Sequence, residues 1–564
     1  MHPTLKGRLM KINATLFVGA LALVTGAALA PAHGQDTSAP PPAAAAERPV
    51  PKLIVAIAVD QLSADLFAEY RNHFTGGFKR LLGGAVFPSG YQSHAATETC
   101  PGHSTILTGT RPARNGIIAN NWVDLNTART DKTVYCAEDE SVAGSSSLAY
   151  TVSDRHLLVP TLGERMKAAN PATQVVSVAG KDRAAVMMGG HKVDELWWWD
   201  GKKFASYAGR AVPEAVARTN AAVTDKTAAG QGPIDAPDHC RTRNRAVAIG
   251  AGKTVGTGQF ERAPGDTRRF RASPESDGAV FSLAAALVQE KGLGKGAATD
   301  LIAIGASATD YVGHTYGTEG NEMCLNLAAL DETMADFFEK RDALGIDYEV
   351  VLTADHGGHD LPERNRDHAA PDAARIDRAL NPKAIGAQVA AKLKLAGEIL
   401  FGDPVGDVWI DPKLSPAQRA SVTREALTLY RAHPQGAAAF SRAEIEAAPA
   451  PTGPADGWSL IDRAKASFHP ARSGAIVVAL KPRITPIVGQ TGGYVATHGS
   501  FWDYDRRVPI LFWRAGMTGF EQPLAVEAID IAPTLAATIG MKLAAPEIDG
   551  RCLDLDPGVG DSCR

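Results

Sequence analysis

Three things are in short supply in this chain. Aromatic side chains make up only 6% of its 564 residues, the net charge is −4 from 58 basic and 62 acidic groups, and no internal repeat is evident. Beyond the amino terminus, no run is long and apolar enough to cross a bilayer. The near balance of charge removes the electrostatic footprint of a nucleic-acid binder or of a protein held on an anionic membrane. We therefore expect neither partner, and expect a monomer. What is present is an ordinary globular composition, 45% hydrophobic, which supplies a large core and argues against disorder of the body.

The amino terminus sets the compartment. Lys6, Arg8 and Lys11 precede an uncharged stretch from Ile12 to Ala30, with the small-residue site Ala28-Leu29-Ala30 at its end and Ala32-His33-Gly34 just beyond. This is read as a secretory signal peptide over residues 1–34. The competing reading is an uncleaved anchor, since the run approaches the roughly 20 residues that span a bilayer. Its abundance of Ala and Gly and its small-residue sites favour cleavage, and hence a periplasmic or secreted protein. Residues 35–51, rich in Pro and Ala, read as a disordered leader. Six cysteines in an exported chain permit disulfides, in any of about 15 pairings. Chain proximity pairs Cys552 with Cys563, and by the same guess Cys100 with Cys136 and Cys240 with Cys324.

Short apolar runs alternate with helical patterns. Leu53 to Val59, Val175 to Ala179, Leu301 to Ile304, Val350 to Thr353, Ala475 to Leu480 and Val508 to Phe512 read as strands buried on both faces. Asn321 to Lys340 reads as a helix, as does Pro416 to Ala432 with Ser415 as its N-cap. The order implies an α/β protein with a central, largely parallel sheet. Length alone would allow several domains. The candidate site residues come from both ends and the middle, so a single domain over 52–564 is expected, with insertions at about 187–296 and 375–468.

Asp60 ends the first apolar run, Asp355 and His356 end another, and Asp310 follows a third. The carboxyl ends of strands in such sheets form the ligand crevice, so these residues point to one place. Any one of them alone is explained as well by an Asp capping the next helix. Asp310 and His314 are spaced to share one face of a helical turn, and carboxylate with imidazole suits zinc. His498, in a Gly-rich segment, completes such a set, although alone it reads as a loop histidine. Thr99 precedes a helix expected over Cys100 to Leu107, with Pro101 in its first turn. As a plain N-cap it needs no further role. A helix N-terminus also favours a phosphoryl oxygen, however, and a Thr hydroxyl becomes a useful nucleophile when a metal activates it. Lys181 and Arg183 follow the strand Val175 to Ala179, and in extended conformation would project to one side.

Taken together, Ala58-Val59-Asp60-Gln61, Thr97-Glu98-Thr99-Cys100-Pro101-Gly102-His103, Asn115 to Asn120, Gly180-Lys181-Asp182-Arg183, Ser307 to His314 and Thr353-Ala354-Asp355-His356-Gly357 resemble the alkaline phosphatase superfamily. The narrower resemblance is to its type I phosphodiesterase/nucleotide pyrophosphatase grouping, and within that to secreted bacterial alkaline phosphatases with a Thr nucleophile. The resemblance implies a three-layer α/β/α fold and two zinc ions per chain. One zinc would lie on Asp310, His314 and His498, the other on Asp60, Asp355 and His356, with Thr99 reaching the second. In-line attack by Thr99 would give a phosphothreonine that water then hydrolyses. Lys181, Arg183 and the Asn120 amide would hold the dianion of a monoester; a diester has one fewer charge and an extra group to house. The implied activity is hydrolysis of small-molecule phosphate monoesters, of broad range, with weak phosphodiesterase side activity.

Other readings compete with this one. A phosphodiesterase or nucleotide pyrophosphatase is the alternative within the grouping. A sulfatase shares the plan, and Ala528 to Leu535 looks sulfatase-like, but Cys100 is followed at once by Pro101 and position 104 is Ser104, which breaks the formylglycine pattern. From another class, the chain would be a non-catalytic exported zinc-binding protein. Trp197-Trp198-Trp199 either walls the cleft or lies in a strand or hairpin. His94, His103, His359 and His368 are expected as supporting or satisfied histidines.

Overall fold

The run Leu53 to Val59 has no polar face to offer water. In the computed structural model, which describes residues 49–489 and 493–564, it forms the middle of a ten-stranded sheet. We number the strands that matter here β1 (Leu53–Val59), β2 (Ala85–Tyr91), β3 (Val175–Ala179), β4 (Glu195–Trp199), β5 (Asp300–Ala306) and β6 (Tyr348–Thr353). A second sheet contributes β7 (Leu400–Gly402), β8 (Gly406–Ile410), β9 (Gly436–Ser441) and β10 (Ile476–Leu480), and β11 (Arg507–Arg514) returns to the first. Across the main sheet the order is β2, β11, β6, β1, β5, β3, β4, with short pairings at both edges. The pairs β6–β1, β1–β5, β5–β3 and β3–β4 are parallel, while β11 runs antiparallel to both β6 and β2.

Both faces of the sheet are covered. Leu53, Val55, Ile57 and Val59 face one apolar cluster and Ile54, Ala56 and Ala58 the other. On the first side lie α3 (Pro274–Lys291) and α5 (Asn321–Asp342); on the second lie α1 (Thr99–Thr108) and α2 (Asp182–Gly189). Between α3 and α5, α4 (Ala308–Tyr316) leaves the end of β5. This is the three-layer α/β arrangement, and the full burial of each central strand is why its sequence is continuously apolar.

The structure departs from the sequence reading at several points. Ala475 to Leu480 supplies β10 to the second sheet, where it pairs antiparallel with β8 and β9. That sheet packs against the helix Pro382–Leu393 and α6 (Pro416–Ala432) on its own apolar cluster. Ser415 caps α6 with a reciprocal capping box to Gln418. The stretch 187–296 is not wholly an insertion: β4 is a strand of the main sheet, paired with β3, and α3 packs on its face. Trp197 to Trp199 lie in β4. The expected signal peptide, residues 1–34, and the leader as far as residue 48 lie outside the described residues. The last part of the expected leader is held rather than loose. Pro51 is buried and its carbonyl accepts from Thr299 Oγ1 at 2.6 Å, while the Pro49 carbonyl accepts from Arg514. The three cysteine pairs are joined as chain proximity suggested, Cys100 with Cys136, Cys240 with Cys324 and Cys552 with Cys563. Among the described residues no helix is long and apolar enough to cross a membrane.

Candidate active site

Register brings the site together. Val59 pairs with Ala306, Ala58 with both Gly305 and Thr353, and Gly305 with Ala179. Four parallel strands therefore end along one edge, and Asp60, Ser307, Asp355 and Lys181 emerge there within a residue or two of one another. The Asp60 amide donates to the Ala306 carbonyl, which holds the first turn beyond β1 against β5.

The six expected metal ligands converge and are buried. Asp310 Oδ1 lies 3.2 Å from Nε2 of His314 and 3.2 Å from Nε2 of His498. His356 Nε2 is 3.3 Å from Asp355 Oδ2 and 3.4 Å from Asp60 Oδ1. The rings of His356 and His498 stack with centroids 3.6 Å apart. Two clusters of donor atoms result, Asp310 with His356 and His498, and Asp60 with Asp355 and His356. His314 joins the first through Asp310.

The donor atoms themselves test whether metal fits. Nδ1 of His314, His356 and His498 meets the carbonyls of Ala496, Gly357 and Thr97 at 2.8, 2.8 and 2.7 Å. A carbonyl only accepts, so each Nδ1 carries the hydrogen and each ring turns its Nε2 to the cluster. Each Nε2 thus faces carboxylate oxygen at little more than 3 Å, a spacing that a cation lying among them would hold. Asp60 Oδ1, Asp310 Oδ1 and His356 Nε2 are buried without a hydrogen-bond partner among the described residues. Burial pushes His356 down to about 3, opposed by Asp355, so it stays neutral. The donor set, oxygen with imidazole nitrogen, fits zinc.

Thr99 opens α1. Its N-cap is Glu98 rather than Thr99 itself, so the Thr hydroxyl is not spent on capping. Lys181 Nζ and Arg183 Nη2 stand 3.5 and 3.4 Å from Thr99 Oγ1. Lys181 is the extended residue before α2, but Arg183 lies in the first turn of that helix, not in an extended segment as expected. The two cations still meet at one hydroxyl, because the bend brings Arg183 back over α1. Lys181 is also 2.6 Å from Asp60 Oδ2 and 2.5 Å from Asp310 Oδ2. Burial works against its charge, but Asp310 and Asp60 outweigh that and raise its pKa. Asn120 Oδ1 accepts the Cys100 amide at 2.8 Å, which turns its Nδ2 hydrogens outward, and its own amide donates to Glu98 at 2.6 Å.

Gln61 escaped the sequence reading as a supporting residue, whereas His94, His103 and His359 are among the histidines expected above in supporting or satisfied places. Gln61 adopts φ 67°, and its amide donates to Asp355 Oδ1 at 3.1 Å. Its side chain fills the space where Gly313 and Gly358 lack a Cβ, so the glycines of the two metal-site motifs are the signal that would have pointed to it. His103 Nδ1 lies 2.9 Å from the Thr99 carbonyl and 3.0 Å from Asp355 Oδ2, bridging the two. Burial tends to raise the Asp355 carboxyl, yet His356 and His103 hold it below the usual carboxylate range. His359 contacts Thr485 and Asp505. His94 is wholly buried and pushed down to about 3 by burial and Arg506. The side chain of His368 lies outside the described residues.

Comparison with known proteins agrees with this geometry. The family model for type I phosphodiesterase / nucleotide pyrophosphatase matches residues 54–501. The chain is 58% identical over 518 residues to alkaline phosphatase PhoK of Sphingomonas sp., covering 91% of this chain and 92% of that one. It is 47% identical over 517 residues to alkaline phosphatase PhoD of Zymomonas mobilis, covering 91% and 89%. Among solved structures, wild-type alkaline phosphatase PafA superposes with a TM-score of 0.77 at 25% identity, covering 90% of this chain and 99% of that one. The chain therefore belongs to the type I phosphodiesterase/nucleotide pyrophosphatase family of the alkaline phosphatase superfamily, and within it groups with the enzymes named alkaline phosphatases.

Proposed function

We propose that this protein is an exported, two-zinc alkaline phosphatase that hydrolyses small-molecule phosphate monoesters through a phosphothreonine on Thr99. On this reading residues 1–34 are a signal peptide, residues 52–564 form one catalytic domain, and the enzyme acts as a monomer in the periplasm or outside the cell. Three disulfides suit an oxidising compartment. One observation carries the reading: the Thr99 hydroxyl lies at a helix N-terminus within 3.5 Å of both Lys181 and Arg183.

Asp310, His314 and His498 would hold one zinc and Asp60, Asp355 and His356 the other, with Thr99 reaching the second. Bound zinc supplies a Lewis acid that depresses a hydroxyl pKa and offsets charge on phosphoryl and leaving oxygens. The chain's own groups do the rest. Lys181, Arg183 and the outward Nδ2 of Asn120 grip the non-bridging oxygens, and the α1 N-terminus adds its dipole. Thr99 Oγ1 gives up its proton to solvent and attacks phosphorus as the bond to the alcohol oxygen breaks, and that oxygen leaves with a proton from solvent. Water then cleaves the phosphothreonine, releasing inorganic phosphate and restoring the Thr99 hydroxyl. Two cations and an amide match the two charges of a monoester, whereas a diester presents one charge and a second substituent.

Initial rates on matched aryl phosphate monoester and diester, with Thr99→Ala in parallel, test the reading. A monoester preference that Thr99→Ala abolishes is expected. A diester preference would transfer the assignment to a phosphodiesterase, and activity that survives Thr99→Ala would remove the covalent step.

A further inference from the structure

Lys181 and Arg183 line a cavity of about 290 Å³ whose walls also include Trp198, Trp199, Tyr311 and Arg271. Not every cation along this cavity is held in an ion pair. Lys181 is engaged by Asp60 and Asp310. Asp182, the nearest carboxylate, accepts the hydroxyls of Tyr135 and Tyr150 at 2.7 and 2.6 Å and the Arg183 amide at 2.7 Å. Asp200 turns its Oδ1 to the amides of Lys202 and Lys203 in its own turn. Two guanidiniums are left. Among the described residues neither Arg183 nor Arg271 has a carboxylate within ion-pair distance, and Arg183 Nε is buried without a hydrogen-bond partner. Arg183 is accounted for by the reacting phosphoryl group; Arg271 is not. Its guanidinium stacks on the Tyr311 ring at 4.4 Å, and Lys181 lies over the same ring at 4.8 Å. One aromatic ring therefore joins a cation of the reaction site to a second cation that has no anion.

We infer that Arg271 receives a second anionic group of the substrate. The preferred substrates are phosphate monoesters whose alcohol portion carries a further phosphoryl or carboxylate group. The reacting phosphoryl group lies on Lys181 and Arg183, the distal anion lies on Arg271, and the connecting carbons cross the cavity between them. A guanidinium suits this role because its planar fork binds phosphoryl and carboxylate oxygens in pairs, and an unpaired one costs little to bring onto an anion. The inference rests on the phosphatase reading above and narrows it.

The test compares alkyl monophosphates with α,ω-alkanediol bisphosphates of increasing chain length, using the zinc-loaded enzyme and its Arg271→Ala, Arg271→Lys and Arg271→Gln variants. The quantity read is the ratio of kcat/KM for bisphosphate to kcat/KM for the monophosphate of equal length. The parent should favour the bisphosphate at one chain length, and Arg271→Ala should lower that ratio about tenfold, the size expected for losing a hydrogen-bonded charge. Arg271→Lys should keep part of it, and Arg271→Gln gives the same reading as Ala if the Ala variant does not fold. A parent that does not distinguish the two series overturns the inference. So does an equal loss on both, which would mean that Arg271 acts only through Tyr311 on Lys181. Inorganic phosphate inhibition that is non-competitive and vanishes in Arg271→Ala would make this a seat for free phosphate instead, and would also overturn it. A parent inactive on every monophosphate would sink the phosphatase reading itself, a different failure.

Discussion

Replacing Gly102 by Ala should cripple the enzyme through a single methyl group. Gly102 lies on α1, three residues after Thr99, and a Cβ there would fall 1.9 Å from the Asp355 carbonyl oxygen, 2.5 Å from its carbonyl carbon and 2.7 Å from its Cα. All three are backbone atoms just beyond β6, so no rotamer change relieves them. Ordinary contact begins near 3.4 Å, so α1 and the Asp355 backbone must part by about 1.5 Å in a close-packed interior. Thr99 and Asp355 sit on opposite sides of that gap, and His103, which bridges them, lies beside it. Overpacking of this kind costs about 1–3 kcal/mol of stability. A displacement of roughly 1 Å between reacting groups costs about 100-fold in rate. The assay is kcat/KM on an aryl phosphate monoester together with thermal unfolding. Gly278→Ala provides the contrast. Gly278 is also helical, in α3, but nothing lies near its absent Cβ, so that substitution should stabilise by about 0.5–1 kcal/mol. A Gly102→Ala enzyme that keeps activity within a few-fold of the parent, at unchanged Tm, would refute the claim that this backbone contact sets the position of Thr99.

Chelation should abolish activity and lower Tm, because the buried oxygens Asp60 Oδ1 and Asp310 Oδ1 then lose the ion that would satisfy them; elemental analysis of the active protein should find two zinc ions per chain, and one would refute the two-ion site. Asp331 is buried and accepts the amides of Thr75, Gly76 and Phe78 at 2.8, 2.7 and 2.7 Å. Asp331→Ala should therefore cost about 3 kcal/mol in denaturant unfolding while kcat of the folded enzyme holds; a change in kcat without loss of stability would contradict this. Asp277, buried beneath the start of α4, accepts the Ala308 amide at 3.0 Å, and burial pushes its carboxyl up to about 7 from an ordinary 3.8. Between those values the folded chain keeps a proton that the unfolded chain has released, so this group's contribution is fully present below about pH 4 and is lost as pH rises toward 7. Asp277→Asn keeps an oxygen for Ala308 without the charge, so its stability relative to the parent should grow over that interval. Parallel pH profiles of unfolding would count against it.

Much of the site was legible because its residues sit at the ends of unmistakable elements. A strand buried on both faces must be apolar throughout, so the first charged residue after it, Asp60 or Asp355, marks where the chain leaves the sheet. Helical spacing made His314 legible beside Asp310, which itself follows an apolar strand. Other features were not. Ile476 to Leu480 is as apolar as the central strands, and nothing in its own residues says that it pairs with β8 and β9 instead. Arg183 could be read as extended until α2 was seen to begin one residue before it. Arg271 belongs to no motif, and it comes to the cleft only because Tyr311 and β4 bring the cavity wall to it.

The sequence by itself determined the α/β class, the edge of the sheet at which the chemistry collects, and the donor types gathered there. Each of these follows from burial and spacing within a few residues. Tertiary structure alone decided which atoms face one another: that Nδ1 of His498 is tied to the Thr97 carbonyl 401 positions away, that Lys181 lies between Asp60 and Asp310, and that among the described residues Arg271 has no carboxylate within ion-pair distance. Such contacts join segments distant along the chain, and their geometry is set by packing of whole elements, which leaves no periodic trace in the residues themselves.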